Sequence, residues 1–129
     1  MLNEDLNRGK GMNARITTRQ AGDVSVVDVS GRVTMGAGSN ALRDTLHELT
    51  IGGKKKIMVN LCELSYIDSS GIGELVSAYK EAKQCAGQLK LVGLSGHVVY
   101  QLLMNKSCAF FDMYVDEEVA LRSFGDTTV

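Results

Sequence analysis

The sequence predicts an α/β domain: a mixed, mostly parallel sheet of four to five strands, with an antiparallel hairpin at one edge and about four helices. Three observations carry this reading. Short apolar runs alternate with stretches of helical periodicity, as expected for strands joined by helical crossovers. The first two strands are separated only by Ala21-Gly22-Asp23, which is too short for a crossover and suits a hairpin. The run at 56–61 is apolar through most of its length, as in a strand covered on both faces.

Residues 1–13 are polar and without periodicity, and read as a flexible arm before a single domain at 14–125, with a short tail at 126–129. Strands are expected at 16–20 and 24–30. Residues 31–40, with three glycines, are expected to form a loop. Gly36-x-Gly38 lacks both the rest of a G-x-G-x-x-G pattern and the Lys-Ser/Thr of a P-loop, so it is a weak nucleotide signal. Ser39 or Asn40 is positioned to cap a helix at 41–49, with Leu42, Leu46 and Leu49 as its buried stripe. Gly52-Gly53 ends that helix, and Lys54-Lys55-Lys56 reads as a solvated turn.

After the strand at 56–61, Ile72, Leu75, Val76, Tyr79 and Ala82 fall on one helical face, so a helix begins close to Ser70 and ends near Gly87. A strand follows at 88–93. Ser95 then caps a helix with Val98, Val99, Leu102 and Leu103 inward. A short strand at 111–115 leads to a final helix at 117–124, with Glu117 and Glu118 in its first turn as the helix dipole prefers.

Composition narrows the function classes. The 129 residues suit one domain, and 44% hydrophobic with 22% charged residues is the balance of an ordinary soluble protein. A net charge of −1 gives no basic field to attract nucleic acid or an anionic membrane surface. No apolar run approaches the roughly 18 to 20 residues of a bilayer span, and no secretory h-region opens the chain. The cytoplasm is therefore the expected compartment. Cys62, Cys85 and Cys108 form no C-x-x-C pair and are expected to be reduced and mostly buried. No H-E-x-x-H or dinucleotide fingerprint is present, so neither metal nor cofactor is expected.

The stretch Ser65-Tyr66-Ile67-Asp68-Ser69-Ser70-Gly71-Ile72-Gly73 carries the functional signal. It sets two hydroxyls and a carboxylate at a helix start, where unpaired N–H groups and the dipole would welcome a phosphate. Gly71 and Gly73 leave little bulk, so another protein could approach the backbone closely. Plain capping by Asp or Ser is the simpler reading. A capping box from Ser70 would want Glu or Gln at position 73, however, and glycines there weaken the first turn by up to about 1 kcal/mol each. Ser69 and Ser70 are both candidate nucleophiles or acceptors. The only imidazoles, His47 and His97, fall on other helices, and no G-x-S-x-G elbow is present, so an enzyme is not expected.

The run Leu64-Ser65-Tyr66-Ile67-Asp68-Ser69-Ser70-Gly71-Ile72-Gly73 closely resembles the signature of STAS domains, in particular the bacterial anti-sigma factor antagonists. The resemblance extends from about Ile16 to Phe124. It takes in Gly31-Arg32, Leu89-Lys90-Leu91-Val92-Gly93 and Tyr114-x-x-Glu117-Glu118-x-Ala120-Leu121. It implies a STAS-like fold and a small switch protein with neither catalysis nor cofactor of its own. Ser69 is the position that resemblance marks for phosphorylation, with Ser70 as the alternative, by an anti-sigma factor that doubles as a serine-protein kinase. The unphosphorylated form would bind that kinase and free the sigma factor, and a metal-dependent, PP2C-like serine phosphatase would restore it. Asp68, Ser69, Ser70, Gly71, Ile72 and Gly73 are the implied partner-binding residues, together with Arg32 and Thr34. Many members carry an aspartate at the position of Thr34. The expected state is a monomer or small homo-oligomer. Other roles of the same fold are a scaffold subunit of a larger signalling complex, or a nucleotide-binding or transport-associated module.

Overall fold

A computed structural model of the chain describes residues 14–93, 96–104 and 111–125. The expected arm at 1–13, the tail at 126–129, the Ser95 cap, Cys108 and the side chain of His97 lie outside the described residues. Strands β1 (Ala14–Ala21) and β2 (Val24–Val33) form the antiparallel hairpin, paired from Ala14 with Gly31 to Ala21 with Val24. Gly22 makes the turn with a φ of 65°, a conformation costly for a residue with a Cβ. β3 (Lys56–Ile67), β4 (Gln88–Val92) and β5 (Asp112–Tyr114) follow, parallel to β2, giving a five-stranded sheet in the order β1-β2-β3-β4-β5.

Each parallel step needs a helical crossover. Successive right-handed crossovers advancing in one direction put their helices on one face. These are α1 (Ala37–Ile51), α2 (Ser69–Gln84) and α3 (Gly96–Leu103). Leu42 and Leu46 of α1, Leu75 and Ala78 of α2, and Val98 and Leu102 of α3 bury the larger core against β-strand residues such as Val27, Val59 and Leu91. α4 (Glu117–Gly125) covers the opposite face, where Ala120 and Phe124 pack on Val24, Val26, Met58 and Val92. Two polar attachments hold it there. Buried Lys90 donates to Ser123 Oγ at 2.9 Å with its ammonium 5.0 Å from the Phe124 ring centroid. Arg19 bridges Asp28 and Glu117. Ile57, Met58, Val59 and Leu61 in the first half of β3 are thus buried, on both sides of the sheet, as the sequence implies.

Several boundaries move. β2 continues through Gly31 and Arg32 to Val33, and α1 starts at Ala37, so the expected loop at 31–40 shrinks to a tight turn. Neither Ser39 nor Asn40 caps α1. Its N-cap is Gly36, with a φ of 103° and no side-chain bond, and Ser39 is buried in the first turn with its N–H on Thr34 O at 3.0 Å. β3 runs to Ile67 rather than Leu61, because β2 pairs with it as far as Val33 with Ile67. Cys62 and Cys85 are exposed, contrary to the expectation that the cysteines are mostly buried. Cys62 sits where β3 outruns β4, and Cys85 caps the end of α2. Leu103, expected inward, is 65% exposed.

Pairing with β4 stops at Asn60 with Val92, which leaves the second half of β3 with β2 as its only strand neighbour among the described residues. On the other side α3 supplies a substitute. Gln101 Nε2 donates to Ile67 O at 2.5 Å, and Gln101 Oε1 accepts from Ile67 N at 3.4 Å. One side-chain amide stands in for a strand, satisfying both backbone groups of the residue before the serine loop.

Candidate functional site: a serine at the mouth of the second helix

The carboxyl ends of β2 and β3 lie side by side, and α2 rises from them. Asp68 N donates to Val33 O at 3.1 Å, which carries the strand pairing one residue into the turn. Asp68 is the N-cap of α2, in extended conformation. Its Oδ1 accepts from Ser70 N at 2.9 Å, Gly71 N at 3.1 Å and Ser70 Oγ at 2.5 Å. Its Oδ2 accepts from Met35 N at 2.9 Å, in the turn before α1. Burial pushes this carboxyl up. The bonds from the Ser70 hydroxyl and from the N–H groups of Met35, Gly71 and Ser70 outweigh it and hold the group below the ordinary carboxylate value. The aspartate is therefore a carboxylate at neutral pH.

This arrangement separates the two serines. Ser70 is half-buried with its hydroxyl donated to Asp68, whereas Ser69 is exposed and its hydroxyl has no hydrogen-bond partner among the described residues. It also separates the two glycines. A Cβ on Gly71 would lie 2.7 Å from Ile67 Cγ1 and 2.8 Å from Val33 Cγ1, so Gly71 lets the helix sit flush on the strand ends. Gly73 is exposed with nothing near a Cβ. Gly71 and Ile72 are both buried, so the surface open to a partner is carried by Ser69 and Gly73. Three of the N–H groups expected to welcome a phosphate are already occupied: Asp68 Oδ1 takes those of Ser70 and Gly71, and Asp68 O takes that of Ile72 at 3.0 Å.

Arg32 is on β2 rather than in a loop, and its guanidinium lies over the Tyr66 ring, 4.4 Å from the centroid. Thr34 is half-buried in the turn that Asp68 holds through Met35. His47 is elsewhere, 2.9 Å from Glu81 across the exposed α1–α2 seam. Among the described residues no group of three or more His, Cys, Asp or Glu side chains is placed to hold a metal, and no helix is long and apolar enough to cross a membrane. Sequence reasoning missed Tyr100, Gln101 and Met104, which line an open depression with Tyr66, Asp68, Ser69 and Ile72. The available signal was the second apolar face of α3: Tyr100, Leu103 and Met104 recur at helical spacing and are exposed.

Fold and site together define a small α/β domain that presents an exposed serine, Ser69, where the helix leaves the carboxyl end of a parallel strand pair. The family model described as "Mlab, STAS domain" matches residues 16–104. The chain is 30% identical over 88 residues to the anti-sigma-B factor antagonist of Bacillus subtilis (strain 168), spanning 68% of this chain and 79% of that protein. The chain belongs to the STAS domain family, with an anti-sigma factor antagonist among its relatives. Solved structures agree on the fold. An anti-sigma factor antagonist from Mycobacterium paratuberculosis has a TM-score of 0.79 at 19% identity, covering 88% of this chain and 95% of that one. The antagonist SpoIIAA of Bacillus, solved unphosphorylated and phosphorylated, gives TM-scores of 0.66 and 0.67 at 23% and 21% identity. The coverage is 85% and 84% of this chain, and 98% and 97% of SpoIIAA.

Proposed function

We propose that this protein is an anti-sigma factor antagonist, a non-catalytic cytoplasmic switch controlled by phosphorylation of Ser69. Its unphosphorylated form binds an anti-sigma factor that is also a serine kinase. The modified form does not, and a PP2C-like serine phosphatase restores the hydroxyl. One observation carries the choice of residue: among the described residues the exposed Ser69 hydroxyl has no partner, while Ser70 is tied to Asp68. That SpoIIAA exists in both phosphorylation states supports the same reading.

The physics of the switch is local. Phosphorylation adds about −1.5 to −2 charges and three strong acceptors. The Ser70, Gly71 and Ile72 N–H groups are engaged and Asp68 is already charged, so the dianion stays in solvent, unneutralised by its own helix. A partner closing over Ser69 would have to strip water from it, at a cost that abolishes binding without refolding either protein. The test is incubation of the full chain with each anti-sigma-type serine kinase encoded in the same genome, followed by mass-spectrometric site mapping. Phosphate on Ser69 is the expected result. Modification of Ser70 alone, or of neither serine by any such kinase, would overturn the proposal.

A further inference from the structure

The depression beside Ser69 measures about 620 Å³ and opens between the end of β3, the start of α2 and the exposed side of α3. Tyr66, Ile72, Tyr100 and Met104 give it an apolar wall, and Ser69 and Asp68 stand on its rim. Tyr100 and Met104 are 62% and 64% exposed, an unusual placement for large apolar side chains on a helix whose inner face is already filled by Val98 and Leu102. The hollow is built rather than incidental. Gln101, between those two residues, clasps both backbone groups of Ile67, so α3 is held at a fixed distance from the serine turn.

We propose that this depression is an anchor pocket for one apolar side chain, aromatic or large aliphatic, projected by the protein partner that covers Ser69. Charge selects that occupant. Among the described residues no lysine or arginine lines the hollow, the one ionised group on its rim is the Asp68 carboxylate, and Arg32 is stacked against Tyr66 outside it. A nucleotide or a phospholipid headgroup would meet a like charge, with the N–H groups of Ser70, Gly71 and Ile72 already taken, whereas an uncharged side chain meets only apolar wall. Continuity with Ser69 does the rest, because a protein seated over that hydroxyl necessarily overlies the hollow. Met104 and the tyrosines supply the adaptable, amphipathic surface typical of interface anchors. The proposal rests on the Ser69 face being a docking face and adds what grips it there.

The test uses the full-length chain and N-acetyltryptophanamide as a surrogate side chain, followed by two-dimensional amide NMR. Saturable shifts confined to Tyr66, Ile72, Gln101 and Met104 are expected. In Tyr100→Ser/Met104→Ser the affinity should fall roughly tenfold or more, while Tyr100→Phe retains it. Both variants change exposed positions, and unchanged melting temperatures confirm that they fold. Shifts scattered over the surface, or equal in wild type and the double variant, would refute the pocket. So would stronger shifts there from ATP or dihexanoylphosphatidylcholine than from the surrogate. Concentration-dependent dimerisation that the double variant abolishes would assign the pocket to a second copy of this chain and likewise overturn the proposal. None of these readouts involves phosphorylation, so the pocket and the Ser69 switch fail separately.

Discussion

Asp68 Oδ2 accepts a hydrogen bond from the backbone N–H of Met35 at 2.9 Å, while its other oxygen caps α2. One carboxylate thereby joins the turn before α1 to the helix that carries Ser69, two segments far apart in sequence. Replacing it with alanine removes the cap and the link together, and a loss of about 1–3 kcal/mol is expected in urea titration. Asp68→Asn keeps the shape and loses the charge, so it should fall between the two.

The same carboxylate fixes a pH dependence. Its value in the folded protein lies below the ordinary 3.8. Its contribution is therefore complete above that ordinary value and is lost as pH falls through the lower, folded one. A protonated aspartic acid resembles asparagine. The stability gap between wild type and Asp68→Asn should therefore be constant from pH 7 to about 5 and close toward pH 2. A gap that widens on acidification would contradict the assignment.

Gly71 and Gly73 should respond in opposite directions. Alanine at 71 drives a methyl into Ile67 and Val33, and a destabilisation of about 1–3 kcal/mol is expected. Alanine at 73 meets nothing and removes a flexible residue from a helix, so a gain of up to about 1 kcal/mol is expected. Thermal melts of the two single variants decide the matter.

The two serines should also part company. Ser70→Ala removes a hydroxyl bonded to Asp68 and should lower stability by about 1–2 kcal/mol, whereas Ser69→Ala should stay within about 0.5 kcal/mol of wild type. Ser69→Asp should weaken partner binding with the melting temperature moved by only a few degrees. Ser70→Asp should lower the melting temperature outright, since it sets a second carboxylate against Asp68.

Cys62 and Cys85 are exposed in the folded chain. Ellman's reagent should titrate both in native buffer, and Cys62→Ser and Cys85→Ser should each remove one fast equivalent. A substitution that removes no fast equivalent would place that thiol inside.

Much of this was legible in the residues. The buried face of α2 follows from Ile72, Leu75 and Ala82 at helical spacing, and the parallel order from the alternation of strands and crossovers. The junction around Ser69 was legible because polar residues interrupt a strand-to-helix transition. What failed did so for physical reasons. Glycine and polar residues at 31–34 read as loop, yet β2 needs only backbone groups to pair with β3. β3 looked short because register shifts between Asp28 and Ser30 and between Gly31 and Arg32 break the two-residue alternation that marks a strand. The start of α1 was missed because Gly36 offers no side chain to advertise a cap. The choice between the serines needed coordinates: two adjacent identical residues differ only in which one Asp68 captures.

Among the described residues, one helix, α4, roofs the far side of the sheet. Phe124 is fully buried there, plugged over Val26 and Met58 and steadied by Lys90. A chain trimmed ahead of that phenylalanine would bare a greasy strip across β2, β3 and β4, inviting its neighbours to clump. Expression designs that shorten this end should therefore yield precipitate instead of a leaner domain, and any fusion partner belongs downstream of Phe124.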